Sequence, residues 1–289
     1  AINEGFSPSS IIIDSPIIFK EKEDAFDKWK PVNFEQKFYG PTSLREALAH
    51  SRNVVTVKLM QKIGIKSSIS LARNLGITSN LEENLSISLG SSGTTLYELT
   101  SAYSAFANMG RLIKPTAIRN IKNRDGEVLF TSVPEITQPI SPGTAHIITS
   151  LMESVIQHGT ATKVKALKRP VAGKTGTTNN YVDAWFMGYT PELVTGVWVG
   201  KDKDEPLGRN ETGSRAAIPI WLQFMQEALA NKPIINFPVP SDIQFLKVLS
   251  KSGDPAKFGD TDSTFEIFLQ DYLPEKEQPF LSQAQEEEF

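Results

Sequence analysis

The stretch AGKTGTT at residues 172–178 joins two runs of apolar, β-prone residues. A lysine, a glycine and three threonine hydroxyls at this point predict a strand that presents its edge to an anionic ligand. Lys174 supplies a positive charge, and Gly176 has no side chain to block close approach. We therefore expect this strand to form the floor of a binding or catalytic site.

The same residues also resemble the end of a phosphate-binding P-loop, which closes on Gly-Lys-Thr or Gly-Lys-Ser. A P-loop requires a glycine five residues before Gly173, and Lys168 stands there. The predicted strand also continues past Lys174, whereas a P-loop passes from strand to helix at its lysine. The sequence therefore argues against a nucleotide site.

Composition is ordinary for a soluble globular chain of 289 residues, with 39% hydrophobic and 22% charged residues. The net charge is −3 and the basic residues are scattered, so we expect no nucleic-acid partner. Cysteine is absent, which excludes disulfides and thiolate chemistry. No apolar run is long enough to predict a membrane span.

Capping signals and apolar periodicity predict helices through much of the first 160 residues. Ser43 and Thr95 each stand three residues before a glutamate, the pattern of a capping box, and Ser141 stands before a proline. Asn53 is predicted as the N-cap of a helix over residues 54–63, and a third short helix is predicted over about residues 68–75. Asp125-Gly126 predicts a hairpin within residues 118–130.

From residue 170 the pattern changes to three short strands with short joins, which predicts antiparallel pairing, and then to a helix over residues 217–230. Helices followed by a β-meander and a covering helix indicate an α+β fold. We expect one domain over residues 1–231 and a C-terminal extension over 232–289. The acidic end of that extension, residues 283–289, has a composition typical of disorder.

Ser51-Arg52-Asn53 lies between two predicted helices and can be interpreted in two ways. On local grounds it is the end of one helix and the N-cap of the next. Taken with Lys174-Thr175-Gly176, it supplies two of the three signatures of penicillin-binding proteins and serine β-lactamases. The residue types suit acyl transfer, because a serine nucleophile needs a proton relay and the attacked carbonyl needs oxyanion donors.

Several further stretches resemble the bifunctional class A penicillin-binding proteins, and the similarity extends over about residues 1–230. They are GPTSLREALAHSRNVV at 40–55, SLGSSG at 88–93, DAWF at 183–186, GYTP at 188–191, ETG at 211–213 and AIPIW at 217–221. The resemblance implies part of the transpeptidase fold shared with serine β-lactamases, a helical region with antiparallel sheet strands.

The resemblance also implies a function, namely peptidoglycan cross-linking by acyl transfer from D-Ala-D-Ala stem peptides. The implied partners are stem peptides, the lipid-linked precursor and β-lactam antibiotics. The implied location is the periplasmic face of the bacterial inner membrane, with anchoring through an N-terminal segment outside this sequence. No cofactor or metal is implied.

Roles for individual residues follow from the same resemblance. Ser51 would relay protons, and Asn53 would orient the substrate amide and the base. Lys174 would hold the substrate carboxylate with the hydroxyls of Thr175 and Thr177. Gly176 and Thr178 complete the predicted substrate-binding strand, and the Thr177 N–H would supply half of the oxyanion hole. Alternation along the strand predicts that the Thr175 side chain turns away from that of Lys174.

The third signature, Ser-x-x-Lys, is missing, since no lysine of the chain has a serine three residues before it. In the family this motif carries the nucleophile and the base, and it precedes a segment similar to residues 1–6. We therefore expect the chain to begin just after it and to form no acyl-enzyme alone. Two alternatives are a non-catalytic scaffold that binds peptidoglycan or partner proteins, and a β-lactamase relative.

The three histidines, His50, His146 and His158, have no metal-ligand pattern around them in the sequence. We interpret them as surface or packing residues.

Overall fold

The computed structural model describes residues 1–20 and 28–274. Its described residues mix helices and antiparallel strands, which confirms the predicted α+β class. The α-helices are α1 Leu44–Ala49, α2 Asn53–Ile63, α3 Ile65–Asn74, α4 Leu96–Ala107, α5 Pro142–Gln157 and α6 Ile218–Ala228. None of the described helices is both long and apolar enough to cross a bilayer.

The strands pair in small antiparallel sheets. They are β1 Ile11–Asp14, β2 Phe19–Lys20, β3 Lys28–Trp29, β4 Gly40–Ser43, β5 Leu112–Ile113, β6 Asn120–Lys122, β7 Val128–Thr131, β8 Ile136–Thr137, β9 Ala172–Thr177, β10 Ala184–Tyr189, β11 Val194–Val199, β12 Ile243–Leu249 and β13 Ser263–Leu269. The pairs are β1 with β4, β2 with β3, β5 with β8, β6 with β7 and β12 with β13, while β9, β10 and β11 form one three-stranded sheet.

The predicted caps account for three helix starts. Ser43 accepts a hydrogen bond from the Glu46 N–H at α1, and Ser141 does the same for Thr144 at α5. Thr95 and Glu98 form a complete capping box at α4. Each cap satisfies a backbone donor that the first helical turn leaves without a partner.

The prediction that Asn53 is an N-cap is wrong. Asn53 is the first residue of α2, and Arg52 occupies the cap position without a side-chain cap bond. The Asn33 side chain accepts from the Val54 N–H at 3.2 Å instead. A residue 21 positions earlier therefore does the capping, which a local pattern cannot reveal.

Two helix boundaries also differ from prediction. Helix α3 begins at Ile65 rather than near Ser68. Helix α6 begins at Ile218, because a π-type turn over Gly213–Ala217 precedes it.

The central sheet has the order β11-β10-β9 and is covered by helices on both faces. On one face Phe186 of β10 meets Trp221 of α6 edge-on, with ring centroids 5.1 Å apart. On the other face Tyr189 packs with Met152 of α5, and its hydroxyl bonds Thr149 at 2.9 Å. Burial on both faces fixes β10, and β9 with its lysine is paired along β10.

The hairpin of β12 and β13 lies in the region that sequence analysis assigned to a C-terminal extension, and its strands were not predicted. Ile243 and Ile267 share a buried cluster with Ile2 and with Ile147 of α5. The Arg45 guanidinium also bonds Glu266 of β13, at 2.7 Å from Nε to Oε2. The boundary at residue 231 stays a prediction, and residues 283–289 lie outside the described residues.

Candidate active site

Lys174 lies in the middle of β9, opposite Met187 of β10. Its Nζ donates to Ser51 Oγ at 2.9 Å and to the Thr175 carbonyl at 3.0 Å. The side chain is partly buried, and desolvation of the ammonium lowers the pKa of Lys174 to about 8. The Lys174 amine therefore loses its proton at a lower pH than that of an ordinary lysine.

Ser51 lies in the tight connection between α1 and α2. Its φ is 56°, which places a residue with a side chain in the left-handed region. The Ser51 N–H bonds the Leu48 carbonyl and the Arg52 N–H bonds the Ala47 carbonyl, which closes the end of α1. A strained non-glycine backbone costs on the order of 1–3 kcal/mol and occurs preferentially at functional sites.

The other two residues of the Ser-x-Asn motif anchor this connection to the segment before α1. Arg52 pairs with Glu35 at 2.9 Å and lies over the Tyr39 ring. The Asn53 amide donates to the Val32 carbonyl at 2.9 Å. Among the described residues no hydrogen bond joins Asn53 to Ser51 or Lys174, so only the serine of the motif touches the lysine.

Thr175 points away from Lys174, as strand alternation predicts. Its hydroxyl bonds the hydroxyl of Thr160 at 2.7 Å, in the segment that follows α5. Thr160 also donates its N–H to the Ala49 carbonyl at 3.1 Å. Thr160 thus links β9 to the end of α1, and nothing in the local sequence around it predicts this contact.

Gly176 and Thr177 at the end of β9 lie against the turn before α6. The Thr177 side chain is exposed and accepts from the Gly213 N–H at 3.1 Å. A Cβ on Gly213 would lie 2.7 Å from the Gly176 carbonyl oxygen. Glycine is therefore required at 213 for this close approach, and sequence analysis noted Gly213 only as part of the family resemblance.

Thr178 shapes the turn between β9 and β10. Its N–H bonds the Asp183 carbonyl, and its hydroxyl accepts from the Asp183 N–H at 2.7 Å. Asp183 in turn accepts from the Trp198 indole at 2.8 Å. Of the predicted residues, Lys174 thus bonds Ser51 and Thr177 bonds Gly213, while Thr175 bonds Thr160 and Thr178 bonds Asp183 within the turn.

Two of the three histidines lie beside a carboxylate, a neighbourhood that the sequence pattern did not predict. Glu46, His50 and His158 each place one ligand atom within 4.8 Å of the others.

This geometry can hold an anion and move a proton. The Lys174 ammonium supplies positive charge at the strand, and its hydrogen bond to Ser51 joins a donor to a hydroxyl that can pass a proton on. A family model described as the penicillin binding protein transpeptidase domain matches residues 1–226.

The chain belongs to the penicillin-binding protein transpeptidase family. It is 35% identical to penicillin-binding protein 1A of Pseudomonas aeruginosa over 95% of this chain and 40% of that protein. It is 39% identical to penicillin-binding protein 1A of Aquifex aeolicus over 75% of this chain and 30% of that protein. The chain thus spans less than half the length of these relatives and matches the C-terminal part of a class A penicillin-binding protein.

Solved structures of penicillin-binding proteins have the same fold. Penicillin-binding protein 1A of Haemophilus influenzae superposes with a TM-score of 0.89 at 27% identity, over 96% of this chain and 47% of that chain. The PonA1 protein of Mycobacterium tuberculosis in complex with penicillin V gives a TM-score of 0.73 at 29% identity, over 88% of this chain and 70% of that chain. These matches confirm the predicted fold.

Proposed function

We propose that this chain forms part of the active site of a D,D-transpeptidase that cross-links peptidoglycan stem peptides. Lys174, Thr177 and Ser51 form the side of the site that binds the substrate carboxylate and the oxyanion. The contact between Lys174 Nζ and Ser51 Oγ at 2.9 Å carries the proposal. It brings together the two signature motifs, which lie 123 residues apart in sequence. The interpretation of Ser51 as an ordinary helix end does not explain why its hydroxyl meets Lys174.

In the proposed reaction a serine oxygen attacks the carbonyl carbon between the two D-alanines. The carbonyl oxygen becomes an oxyanion, then the C–N bond breaks and D-Ala leaves after gaining a proton. The amine of a second stem peptide next attacks the acyl-enzyme ester. A new amide forms, the amine loses a proton, and the serine oxygen is protonated again.

The residues of this chain serve three steps of that sequence. The Lys174 ammonium attracts the terminal carboxylate, and a pKa of about 8 keeps the amine mostly charged near neutral pH. Ser51 receives its hydrogen bond and relays the proton to the leaving amine. Thr177, whose side chain is exposed at the end of β9, contributes its hydroxyl to the carboxylate and its N–H to the oxyanion.

Asn53, Thr175 and Thr178 have supporting roles in this proposal. Asn53 fixes the α1–α2 connection through Val32 and orients the substrate amide. Thr175 holds β9 to Thr160, and Thr178 closes the β9–β10 turn. Gly176 leaves room for the substrate backbone beside the strand.

The nucleophile is a serine that these 289 residues do not contain, because no serine stands three residues before a lysine. We infer that the longer protein supplies it and that the site works at the periplasmic face of the inner membrane. β-Lactams would bind to the same residues, Lys174 and Thr177, since their carboxylate resembles the end of the stem peptide.

The decisive experiment measures acylation of the full-length protein by a fluorescent penicillin. Lys174→Met and Thr177→Val should each reduce the second-order acylation rate, Lys174→Met by on the order of 100-fold or more. The control is Lys203→Met, an exposed lysine that should leave the rate unchanged. Wild-type acylation in Lys174→Met would overturn the proposed role, and no acylation of the wild-type protein would favour a non-catalytic scaffold.

A second measurement tests the absent nucleophile separately. Intact-mass spectrometry of the 289-residue chain after incubation with benzylpenicillin should show an unchanged mass. A penicilloyl adduct on any serine of this chain would contradict the inference that the nucleophile lies outside these residues. The proposed roles of Lys174 and Thr177 would then be judged by the acylation rates of their variants.

A further inference from the structure

Glu46, His50 and His158 form a compact group at the junction of α1 and α5, outside the Lys174–Ser51 contact. Glu46 Oε1 lies 3.0 Å from His158 Nε2, and Glu46 Oε2 lies 3.3 Å from His50 Nε2. The two imidazole rings are 5.9 Å apart between centroids. All three side chains are between 36% and 49% exposed, so solvent and ions reach the group.

The packing of the two helix ends holds this group together. Glu46 lies on α1, His50 is the C-cap of α1 one turn later, and His158 is the C-cap of α5. Gly159 follows directly, and a Cβ there would lie 2.1 Å from the Ala49 carbonyl oxygen. Only a glycine lets the end of α5 approach α1 this closely, so His158 faces Glu46 because of the backbone and not by chance rotation of its side chain.

The donor set is that of a zinc site. Two histidine nitrogens and one carboxylate oxygen leave a fourth position open to water. Metal–ligand bonds of about 2.0–2.2 Å place tetrahedral ligands about 3.3–3.5 Å from one another. Glu46 Oε1 lies 3.0 Å from His158 Nε2 and Glu46 Oε2 lies 3.3 Å from His50 Nε2, and one ligand atom of each residue lies within 4.8 Å of the other two, so the three donors can close around one ion.

We propose that Glu46, His50 and His158 bind one divalent transition-metal ion, with Zn²⁺ as the best-fitting ion. The three donors belong to one structural junction, whereas acidic surface clusters offer oxygen alone. The imidazoles favour Zn²⁺, Ni²⁺ and Cu²⁺ over Mg²⁺ and Ca²⁺, which prefer all-oxygen ligands.

The ion would act on the α1–α5 junction beside the candidate active site. His50 directly precedes Ser51 in the chain, and His158 is two residues before Thr160, which bonds Thr175 of β9. Bound metal would therefore restrain both connections to the β9 site. Backbone amides at this junction, those of Ser51 and Thr160, should then exchange with solvent more slowly.

The test is a Zn²⁺ titration of tag-free protein against a chromophoric chelator, at about pH 7.5, where ordinary imidazoles are mostly neutral. We expect one Zn²⁺ per chain in the wild type. His158→Gln and His50→Gln should each weaken binding by on the order of 100-fold, since each removes a ligand. The matched control is His146→Gln, because His146 lies on the same helix α5 but outside the group.

Two independent readouts accompany the titration. Saturating Zn²⁺ should raise the melting temperature of the wild type and of His146→Gln but not of His158→Gln. Mg²⁺ should have no such effect. Equal Zn²⁺ affinity in His158→Gln and His146→Gln would overturn the proposal, as would no binding by the wild type at about 100 µM free Zn²⁺. Circular dichroism of each variant checks that the loss of binding does not arise from unfolding.

Discussion

Lys174 Nζ and Ser51 Oγ are joined by a hydrogen bond of 2.9 Å across 123 residues of sequence. The lysine lies on β9, which pairs with the buried strand β10, and the serine lies in a strained turn between two helices. Both residues lie in environments that cost stability, which is the pattern expected of a functional contact.

The first prediction concerns the charge on Lys174. Its folded pKa of about 8 lies below the ordinary value of 10.5, so between these values the unfolded chain binds more protons. Stability should therefore increase as the pH rises from about 8 to about 10.5. Lys174→Met should raise the free energy of unfolding near neutral pH, on the order of 1–3 kcal/mol, and abolish this pH dependence.

Urea denaturation across this pH range measures the effect, with Lys203→Met as the exposed control. NMR of lysine Cε groups should show one resonance that titrates near pH 8 and is missing in Lys174→Met. A destabilised Lys174→Met protein, or a normal titration of that resonance, would contradict the burial argument.

The second prediction concerns backbone strain at Ser51. With φ at 56°, glycine fits this position better than any residue with a Cβ. Ser51→Gly should be more stable than Ser51→Ala by about 1 kcal/mol, because both variants lose the bond to Lys174 and only glycine relieves the strain. Denaturant midpoints of the two variants decide the question. Equal stabilities would show that the turn is not strained.

The third prediction separates Thr175 from Thr177 on the same strand. Thr175 and Thr160 share a hydroxyl–hydroxyl bond of 2.7 Å in a partly buried position. A double-mutant cycle with Thr175→Val and Thr160→Val should give a coupling energy of about 0.5–1.5 kcal/mol. A second double-mutant cycle, with Thr177→Val and Thr160→Val, should give a coupling energy near zero. Coupling of Thr160 to Thr177 instead would contradict the observed pairing of Thr160 with Thr175.

The fourth prediction tests whether the β12–β13 hairpin is part of the main fold. The side chains of Arg45 and Glu266 are 19% and 6% exposed, and their ion pair ties β13 to α1. Glu266→Ala leaves a mostly buried guanidinium without its carboxylate, which should cost about 3–5 kcal/mol. We expect one cooperative thermal transition at a lower temperature.

The control for this variant is Glu205→Ala, an exposed glutamate in the loop after β11 that should leave the melting temperature unchanged. Two separate transitions would support the predicted boundary at residue 231. A single shifted transition would move the hairpin into the same folding unit as the transpeptidase residues.

The local sequence was sufficient for features that depend on neighbouring residues. The caps at Ser43, Thr95 and Ser141 lie where the patterns placed them, because a capping bond spans only three residues. The meander of β9, β10 and β11 was predicted from short joins, since such joins favour antiparallel neighbours. Family membership was also accessible, because the motif residues are contiguous.

Other features were decided by contacts that no local pattern carries. Asn33 caps α2 from 21 residues away, so Asn53 does not. The strands at 243–269 were missed, because what holds them is a buried cluster with Ile2 and Ile147. The Glu46, His50 and His158 group exists only because Gly159 lets α5 approach α1.

The sequence by itself determined the family, the fold class and the strand that carries Lys174, because these depend on short motifs and on the period of apolar residues. Only the tertiary structure decided which side chains meet. It joined Lys174 to Ser51, turned Thr175 toward Thr160 and brought the distant His158 to Glu46 and His50. The physical reason is that side-chain partners across long separations are set by how helices and sheet pack, and packing is a property of the whole chain.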